Sequence, residues 1–212
     1  MKSTKYYRDF DLESLSITLK FQQYEYGDVN CVVWDAAIVL AKYLELLYIE
    51  NKKIFSSKRV LELGSGLGCV GITAACFGGE VILTDLPNHL HQLQCNIEEN
   101  AVHLQGRAKS IALKWGDRLE IDPFDVLLMA DCIYYTEVIP DLIKTMVDST
   151  TSQTVILICQ ELRDTEKQKT SWKLFVDKLM QYFTITYIPE KEQHPIFRSS
   201  DICIINAKKK CN

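Results

Sequence analysis

Short apolar runs alternate with segments of helical periodicity along most of the chain. The clearest case is the apolar run at residues 60–63, which ends at three alternate glycines and is followed by apolar residues at helical spacing up to Gly78 and Gly79. A second apolar run then ends at Asp85. This pattern predicts a β-α-β unit whose first turn is rich in glycine.

The same alternation predicts the rest of the fold. Residues 16–26 alternate as in one or two strands, which indicates an N-terminal β-hairpin, and residues 31–51 have the periodicity of a helix. Further strands, separated mostly by amphipathic helices, are predicted at residues 109–113, 125–129, 154–161, 184–190 and 201–209. The expected product is a seven-stranded α/β sheet with a reversed final strand, and with the hairpin and first helix outside it.

Length and composition indicate one domain. The 212 residues are 47% hydrophobic and 25% charged, as in an ordinary globular protein, and they leave no room for a second substrate domain. Residues 1–14 are polar and are expected to form a flexible N-terminus, so the domain is expected at residues 15–212.

The net charge and the N-terminal sequence indicate which kinds of partner and which location to expect. A formal net charge of -4 lacks the basic surface that phosphate contacts require, so nucleic acid is not an expected substrate. The first residues are too polar for a signal peptide and no apolar run reaches ~18 residues, so no membrane association is expected. The cytoplasm is the expected location, with the nucleus also open, and a monomer is expected because no heptads are sustained.

Cysteines and histidines do not indicate a metal. The eight cysteines are scattered without a C-x-x-C pair, which is typical of free thiols in a reducing compartment. His89, His91 and His103 have no carboxylate or cysteine at metal-site spacing, so a solvated helix face is the preferred interpretation.

The glycine turn is a candidate site for a nucleoside-bearing cofactor. Glycines at a strand end let the backbone approach a ligand, and Asp85 at the next strand tip suits ribose hydroxyls. Two cofactors fit, because Gly66, Gly68 and Gly71 also satisfy the dinucleotide pattern G-x-G-x-x-G. Glu62, on the strand just before the turn, favours S-adenosylmethionine, since an anion there suits an ammonium group and not a pyrophosphate.

Aromatic and acidic residues are predicted at the same edge of the sheet. Trp34 begins the first helix and Trp115 follows the third strand of the sheet, so each ring is either a wall of the cofactor site or an ordinary core aromatic. Asp131 and Tyr134 follow the fourth strand, beside the point where the strand order reverses and ligands bind in such sheets.

Four motifs, ELGSGLG, the Asp85 tip, LKWG and ADCIYY, together resemble those of the seven-stranded protein-lysine methyltransferases of the methyltransferase-like 21 group. The resemblance covers nearly the whole chain from about Leu15 and implies a Rossmann-like class I methyltransferase sheet with its last strand antiparallel. It implies S-adenosylmethionine as cofactor and a target lysine beside Asp131 and Tyr134. With the residues argued above, the predicted cofactor-binding set is Trp34, Glu62, Gly64, Ser65, Gly66, Asp85, Leu86, Trp115, Ala130 and Tyr135.

The resemblance also implies a substrate. It is strongest to the members of this group that methylate valosin-containing protein, a hexameric AAA+ ATPase, through stretches such as CVVWDAAIVLAKYLE and RSSDICII. A lysine of another protein or of a chaperone is the alternative. Two functions of other kinds stay open: an NAD-dependent oxidoreductase, disfavoured by Glu62, and a non-catalytic adapter, disfavoured because the cofactor residues are retained.

The expected reaction needs no nucleophilic side chain, because a sulfonium is already an activated leaving group. A lysine must first lose a proton, since its reference pKa is about 10.4. Asp131 and Tyr134 are the predicted catalytic residues, which accept hydrogen bonds from the amine and orient its lone pair. Cys132 and Ile133 replace the prolines of the [DN]-P-P-Y turn found in methylases of planar nitrogens, which favours an aliphatic amine. Glu161 is either a wall of the substrate entrance or a helix-start charge.

Overall fold

The computed structural model describes residues 4–25, 31–121 and 123–211. The chain begins with an antiparallel hairpin of β1 (Lys5–Leu12) and β2 (Ile17–Tyr24). The strands of the main sheet are β3 (Arg59–Leu63), β4 (Glu80–Asp85), β5 (Arg107–Ala112), β6 (Val126–Ala130), β7 (Val155–Glu161), β8 (Phe183–Tyr187) and β9 (Ile202–Lys209). The α-helices are α1 (Asp35–Glu50), α2 (Cys69–Cys76), α3 (Leu90–Glu99), α4 (Ile139–Ser149) and α5 (Glu166–Tyr182). Single 3-10 turns occur at Ala101–His103, Thr136–Val138 and Glu190–Glu192.

The main sheet has the predicted seven strands, in the order β5-β4-β3-β6-β7-β9-β8. Its pairs are parallel except those that β9 makes with β7 and β8, so the predicted reversal of the final strand is confirmed. The chain leaves β3 toward β4 on one side and returns to β6 on the other. The carboxyl ends of β3 and β6 therefore flank the crevice where doubly wound sheets bind ligands.

Side chains of the sheet face two separate apolar cores. Val60 points into a core shared with α1, α2, α3 and the hairpin, whereas its neighbour Leu61 points into a core shared with α4 and α5. Both side chains are fully buried, which explains why the central strands read as continuous apolar runs. Among the described residues, no helix is long and apolar enough to cross a membrane.

The hairpin includes part of the segment that was expected to be flexible. Residues 1–3 lie outside the described part, but Lys5–Leu12 form β1, paired residue by residue with β2. Phe10 and Leu12 of this strand are buried in the core beside α1. The prediction of a flexible N-terminus at residues 1–14 is therefore wrong for β1, because two buried side chains and a full ladder of backbone hydrogen bonds hold it.

A buried lysine joins the hairpin to α1. Lys42, on α1, is 1% exposed, and its Nζ donates to the backbone oxygen of Asp11 at 2.5 Å and to Glu45 Oε2 at 2.9 Å. It also donates to the carboxylate of Glu13. Since a buried ammonium is unfavourable unless paired, these contacts fix the hairpin turn against the helix that leads into the site.

Candidate functional site

The turn after β3 passes three glycines in left-handed conformations. Gly64, Gly66 and Gly68 have φ angles of 63°, 53° and 86°, a region that residues with a Cβ rarely adopt. α2 begins directly after the third glycine, at Cys69. The glycine-rich turn predicted for the β-α-β unit is therefore present.

Only some of these glycines are needed for packing. A Cβ added to Gly64 would lie 2.6 Å from the sulfur of Cys132, and one added to Gly71 would lie 2.5 Å from Glu62 Oε2. A Cβ on Gly66 would meet nothing within 4 Å. Gly64 and Gly71 thus permit close packing, while Gly66 faces open space available to a ligand.

Glu62 is a buried acid directly below this turn. Its side chain is 2% exposed, and Oε2 accepts a hydrogen bond from the backbone N–H of Gly71 at 3.1 Å. The pKa of Glu62 is raised to about 8, chiefly by burial and to a smaller extent by the nearby carboxylate of Asp85, while its hydrogen bonds act in the opposite direction. A cationic ligand in the turn would stabilise the ionised form.

Asp85 closes the turn from the tip of β4. Its Oδ2 accepts the backbone N–H of Gly66 at 2.7 Å, and its Oδ1 accepts that of Leu86 at 2.7 Å. Oδ1 also lies 2.8 Å from Nδ1 of His89. His89 is 8% exposed, so its assignment to a solvated helix face is wrong: its ring packs inward on Asp85 at the start of α3.

A groove lies between the start of α1 and the glycine turn, and we call it the glycine groove. Six predicted cofactor residues line it: Trp34, Glu62, Gly64, Ser65, Gly66 and Ala130. The rest of its wall comes from Val32, Val33, Ala37, Leu67 and Cys69. Residues from α1, β3 and β6, far apart in the sequence, therefore meet in one concave site.

The other four predicted cofactor residues surround the glycine groove without lining it. Asp85 holds the turn as described, and Leu86 beside it is 44% exposed. Trp115 packs against the core of α4 and α5, and its Cζ2 lies 3.3 Å from where a Cβ on Gly64 would stand. Tyr135 belongs to a second cavity, at the end of β6.

That second cavity, which we call the tyrosine cavity, has a volume of about 300 Å³. It shares one lining residue, Trp34, with the glycine groove. The predicted catalytic residues Asp131 and Tyr134 line it together. Its complete lining is Trp34, Asp131, Tyr134, Tyr135, Arg163, Thr165, Lys167 and Gln168.

Asp131 is held in one orientation directly after the carboxyl end of β6. Its φ of 52° is left-handed, and the residue is 9% exposed. Oδ1 accepts from Gln160 Nε2 at 2.7 Å and from Arg163 Nη1 at 3.1 Å. Oδ2 accepts from Arg163 Nη2 at 2.5 Å. The carboxylate thus has a bidentate partner, the strongest geometry for an arginine ion pair.

Two cations of the tyrosine cavity lie over aromatic rings. The guanidinium of Arg163 lies 5.2 Å from the ring centroid of Trp34 and also donates to Glu161 Oε2 at 2.6 Å. The Nζ of Lys167 lies 4.4 Å from the ring centroid of Tyr135. Cation–π contacts of this kind orient both the charge and the ring.

Three residues that hold the predicted carboxylates, Gln160 and Arg163 at Asp131 and His89 at Asp85, were not predicted from the sequence. Gln160 sits inside the apolar run of β7, Arg163 follows that strand, and His89 begins α3. The spacing of His89 four residues after Asp85 was an available signal. For Gln160 and Arg163 the signal lay in strand order, since β6 and β7 are neighbours whose carboxyl ends meet.

Comparison with known proteins places the chain in a family. The model of a family described as lysine methyltransferase matches residues 13–181. Protein N-lysine methyltransferase METTL21A of Danio rerio is 34% identical over 194 residues, which cover 89% of this chain and 84% of that protein. EEF1A lysine methyltransferase 3 of Xenopus tropicalis is 37% identical over 170 residues, covering 79% and 72%.

Solved structures show the same fold at low identity. A TehB-like SAM-dependent methyltransferase of Corynebacterium glutamicum has a TM-score of 0.59 at 12% identity, over 84% of this chain and 89% of that one. The T. thermophilus 16S rRNA methyltransferase RsmC, solved with AdoMet and guanosine, has a TM-score of 0.67 at 17% identity, over 98% and 51%.

These findings confirm the class I methyltransferase fold and the resemblance to the methyltransferase-like 21 group. The matched segment runs from the hairpin turn to the end of α5 and includes both the glycine groove and the tyrosine cavity. The chain belongs to the lysine methyltransferase family.

Proposed function

We propose that the glycine groove holds the cofactor while the tyrosine cavity receives the lysine of a protein substrate. The enzyme is an S-adenosylmethionine-dependent protein-lysine N-methyltransferase, as its family indicates. The observation that supports this division is the position of Trp34, a residue that lines both spaces. A cofactor in one space and an amine in the other would therefore be adjacent.

The residues of the glycine groove fit this cofactor. The carboxyl of Glu62, buried and poorly solvated, suits an ammonium group, and the open space over Gly66 admits backbone contact with a ligand. Asp85 is the proposed partner of the ribose, with Leu86 and Trp115 beside it. When bound, the cofactor supplies a methyl group on a sulfonium, which is an activated leaving group.

Asp131 and Tyr134 are the proposed catalytic residues. Both line the tyrosine cavity, and the two hydrogen bonds from Arg163 fix the carboxylate of Asp131 in one orientation. A carboxylate held in this way can accept one N–H of the amine and direct its lone pair toward the glycine groove. Positioning of this kind accounts for a large part of the rate when the leaving group is already activated.

Substitution tests these two roles. We expect Asp131→Asn and Tyr134→Phe each to lower kcat by about a hundredfold, with the affinity for S-adenosylhomocysteine changed less than twofold. Circular dichroism and calorimetric binding of S-adenosylhomocysteine identify variants that stay folded. If folded variants kept full turnover, the assignment of these residues to the amine would be wrong.

Valosin-containing protein is the substrate that we propose first, on the motifs described above. A relative named for EEF1A makes that protein the second candidate. The test incubates the chain with each purified protein and trideuteromethyl S-adenosylmethionine, and mass spectrometry locates the label. Label on one lysine, lost when that lysine is changed to arginine, identifies the substrate. Label on EEF1A alone moves the assignment there, and label on neither directs the search to other proteins, chaperones included.

We also propose that the enzyme works as a single-domain monomer in the cytoplasm. The resemblance and the free cysteines of the described residues support this setting. Light scattering during gel filtration tests the monomer, and imaging of a tagged chain in cells tests the location. A stable dimer or a nuclear signal would contradict the respective part.

A further inference from the structure

The hydrogen bonds of Asp131 leave a defined place for an incoming amine. Oδ1 already accepts two donors, from Gln160 and Arg163, whereas Oδ2 accepts one, from Arg163. Because a carboxylate oxygen has two lone-pair positions, Oδ2 keeps one acceptor position. Asp131 can therefore take a single N–H from the amine.

Charged groups of both signs lie around that position, and Glu137 interacts with Lys167. Arg163 contacts both Asp131 and Glu161, and Lys167 lies across the cavity on α5. Asp164, next in sequence, is paired with Lys169 at 2.6 Å. Burial raises the pKa of the thiols of Cys132 and Cys159, the nearest titratable groups beneath Asp131, so they add no charge. Tyr134 and Tyr135 complete the cavity with hydroxyl groups.

The pairing of Asp131 with Arg163 matters because two requirements of the reaction conflict. A bare buried carboxylate would bind a lysine tightly but would stabilise its ammonium form, which cannot attack a methyl group. A carboxylate already paired with a guanidinium still accepts a hydrogen bond, yet it attracts a further positive charge much less. Asp131, through its ion pair with Arg163, is a carboxylate of this paired kind.

We propose that Arg163 is a positioning residue that orients Asp131 and keeps the acceptor amine neutral. The proton of the incoming ammonium passes to solvent or buffer on binding, which leaves the nitrogen lone pair available. The role of Arg163 in methyl transfer rests on the proposed function, which is what brings a lysine amine to this cavity.

Proton release measured by calorimetry tests this role without turnover. The probe is n-butylamine, which stands for the lysine side chain, titrated at pH 8.5 into protein loaded with S-adenosylhomocysteine, in buffers of different ionisation enthalpy. The wild-type chain is expected to release about one proton per bound amine, since free alkylamines are protonated at that pH. Arg163→Gln is expected to release almost none, because Asp131 then binds the ammonium.

Two variants serve as controls. Arg163→Lys keeps the charge and is expected to restore most of the proton release. Lys173→Gln removes a positive charge from the exposed face of α5 and is expected to behave as wild type. Equal proton release by wild type and Arg163→Gln would overturn the role of Arg163, and failure of n-butylamine to bind the wild type would overturn the location of the amine.

A pH profile gives an independent readout on the substrate identified above. The pH at which kcat/KM rises is expected to be higher by at least about one unit in Arg163→Gln than in the wild type. In Arg163→Lys it is expected to return toward the wild-type value. A change in KM with an unchanged profile would mean that Arg163 only binds substrate. If the wild type methylates no lysine while the calorimetric result stands, the proposed function fails and the electrostatic role does not.

Discussion

Glu62 combines full burial with an ionisable carboxyl at the centre of the glycine groove. Its pKa is raised to about 8, chiefly by burial, so the carboxyl is largely protonated at neutral pH in the ligand-free chain. A ligand ammonium favours the ionised form, and binding therefore releases a proton. This linkage makes cofactor affinity dependent on pH.

We predict that the affinity for S-adenosylhomocysteine rises with pH up to about 8 and then levels. The slope should approach roughly tenfold per pH unit well below that value. Calorimetry from pH 6 to 9 measures it. Glu62→Gln should bind more weakly and with no such slope, whereas an equal slope in that variant would assign the titration to another group.

The same carboxyl should make the ligand-free chain less stable at higher pH. The folded-state pKa, about 8, lies above the ordinary glutamate pKa of 4.5, so the folded state binds the proton more tightly. The contribution to stability is full below pH 4.5 and is lost as pH rises through 8, up to about 5 kcal/mol. Urea unfolding at pH 5 and pH 8.5 should show a smaller difference for Glu62→Gln than for wild type.

Gly66 and Gly78 form a matched pair for testing the glycine groove. Both have positive φ, 53° and 96°, and neither Cβ would have a neighbour closer than 3.4 Å, so each alanine should cost only about 1–2 kcal/mol of backbone strain. Gly66→Ala should also lower S-adenosylhomocysteine affinity at least tenfold, since its methyl enters the groove. Gly78→Ala should leave that affinity unchanged. Equal affinities in the two variants would place the cofactor elsewhere.

Individual site residues were predictable to the extent that they follow a strand in the sequence. Asp85 and Asp131 follow or end apolar runs, Glu62 lies one residue before the end of another, and the sheet brings all three to one edge. Gln160 could not be distinguished from the buried face of its own strand, because its role depends on the register of β7 beside β6. Arg163 has a role only through its bond to a residue 32 positions earlier.

Among the elements, α3 connects the hairpin to the glycine turn through two buried asparagines. Asn100 pairs with both backbone groups of Lys20, at 2.9 Å each, as a neighbouring strand would. Asn96 accepts the N–H of Gln22 at 2.8 Å and donates to the backbone oxygen of Leu67 at 3.1 Å. Asn96 therefore contacts the glycine turn, and Asn100 does not.

This difference predicts separable effects. Asn100→Ala should lower stability by about 1–2 kcal/mol, because it leaves the partly buried backbone groups of Lys20 without their protein partner, and should speed hydrogen exchange in β2. Asn96→Ala should lower stability similarly and also weaken S-adenosylhomocysteine binding. Thermal unfolding and calorimetry measure both. Equal losses of affinity would show that the hairpin as a whole, and not Leu67, supports the groove.

Elements with a strong apolar period were predicted best. The central strands β3, β6 and β7 follow from apolar runs that are buried on both faces. The edge strands β5 and β8 are mostly exposed or half-buried, and their prediction came from the alternation of strands with helices. β1 escaped prediction because only Phe10 and Leu12 of its eight residues are buried, and a polar edge strand has little sequence signal. β1 is held in place by its pairing with β2 and by the hydrogen bond from Lys42 to the backbone oxygen of Asp11.

At the scale of the whole molecule, the fold places two spaces side by side at one edge of the sheet. The glycine groove lies at the ends of β3 and β6, the tyrosine cavity at the ends of β6 and β7, and Trp34 is common to both. On the proposed division, the methyl donor occupies one space and the acceptor the other. A protein lysine can then reach the cavity while the cofactor remains bound.

The most direct measurement is the chemical location of the transferred methyl group. Wild-type chain and Asp131→Asn are each incubated with trideuteromethyl S-adenosylmethionine and a total protein extract, and labelled peptides are sequenced by mass spectrometry. We expect label on the side-chain nitrogen of lysine in one or a few proteins, and we expect Asp131→Asn to reduce it strongly. Label on carboxyl, thiol or nucleic-acid atoms, or none from a chain that binds S-adenosylhomocysteine, would contradict it.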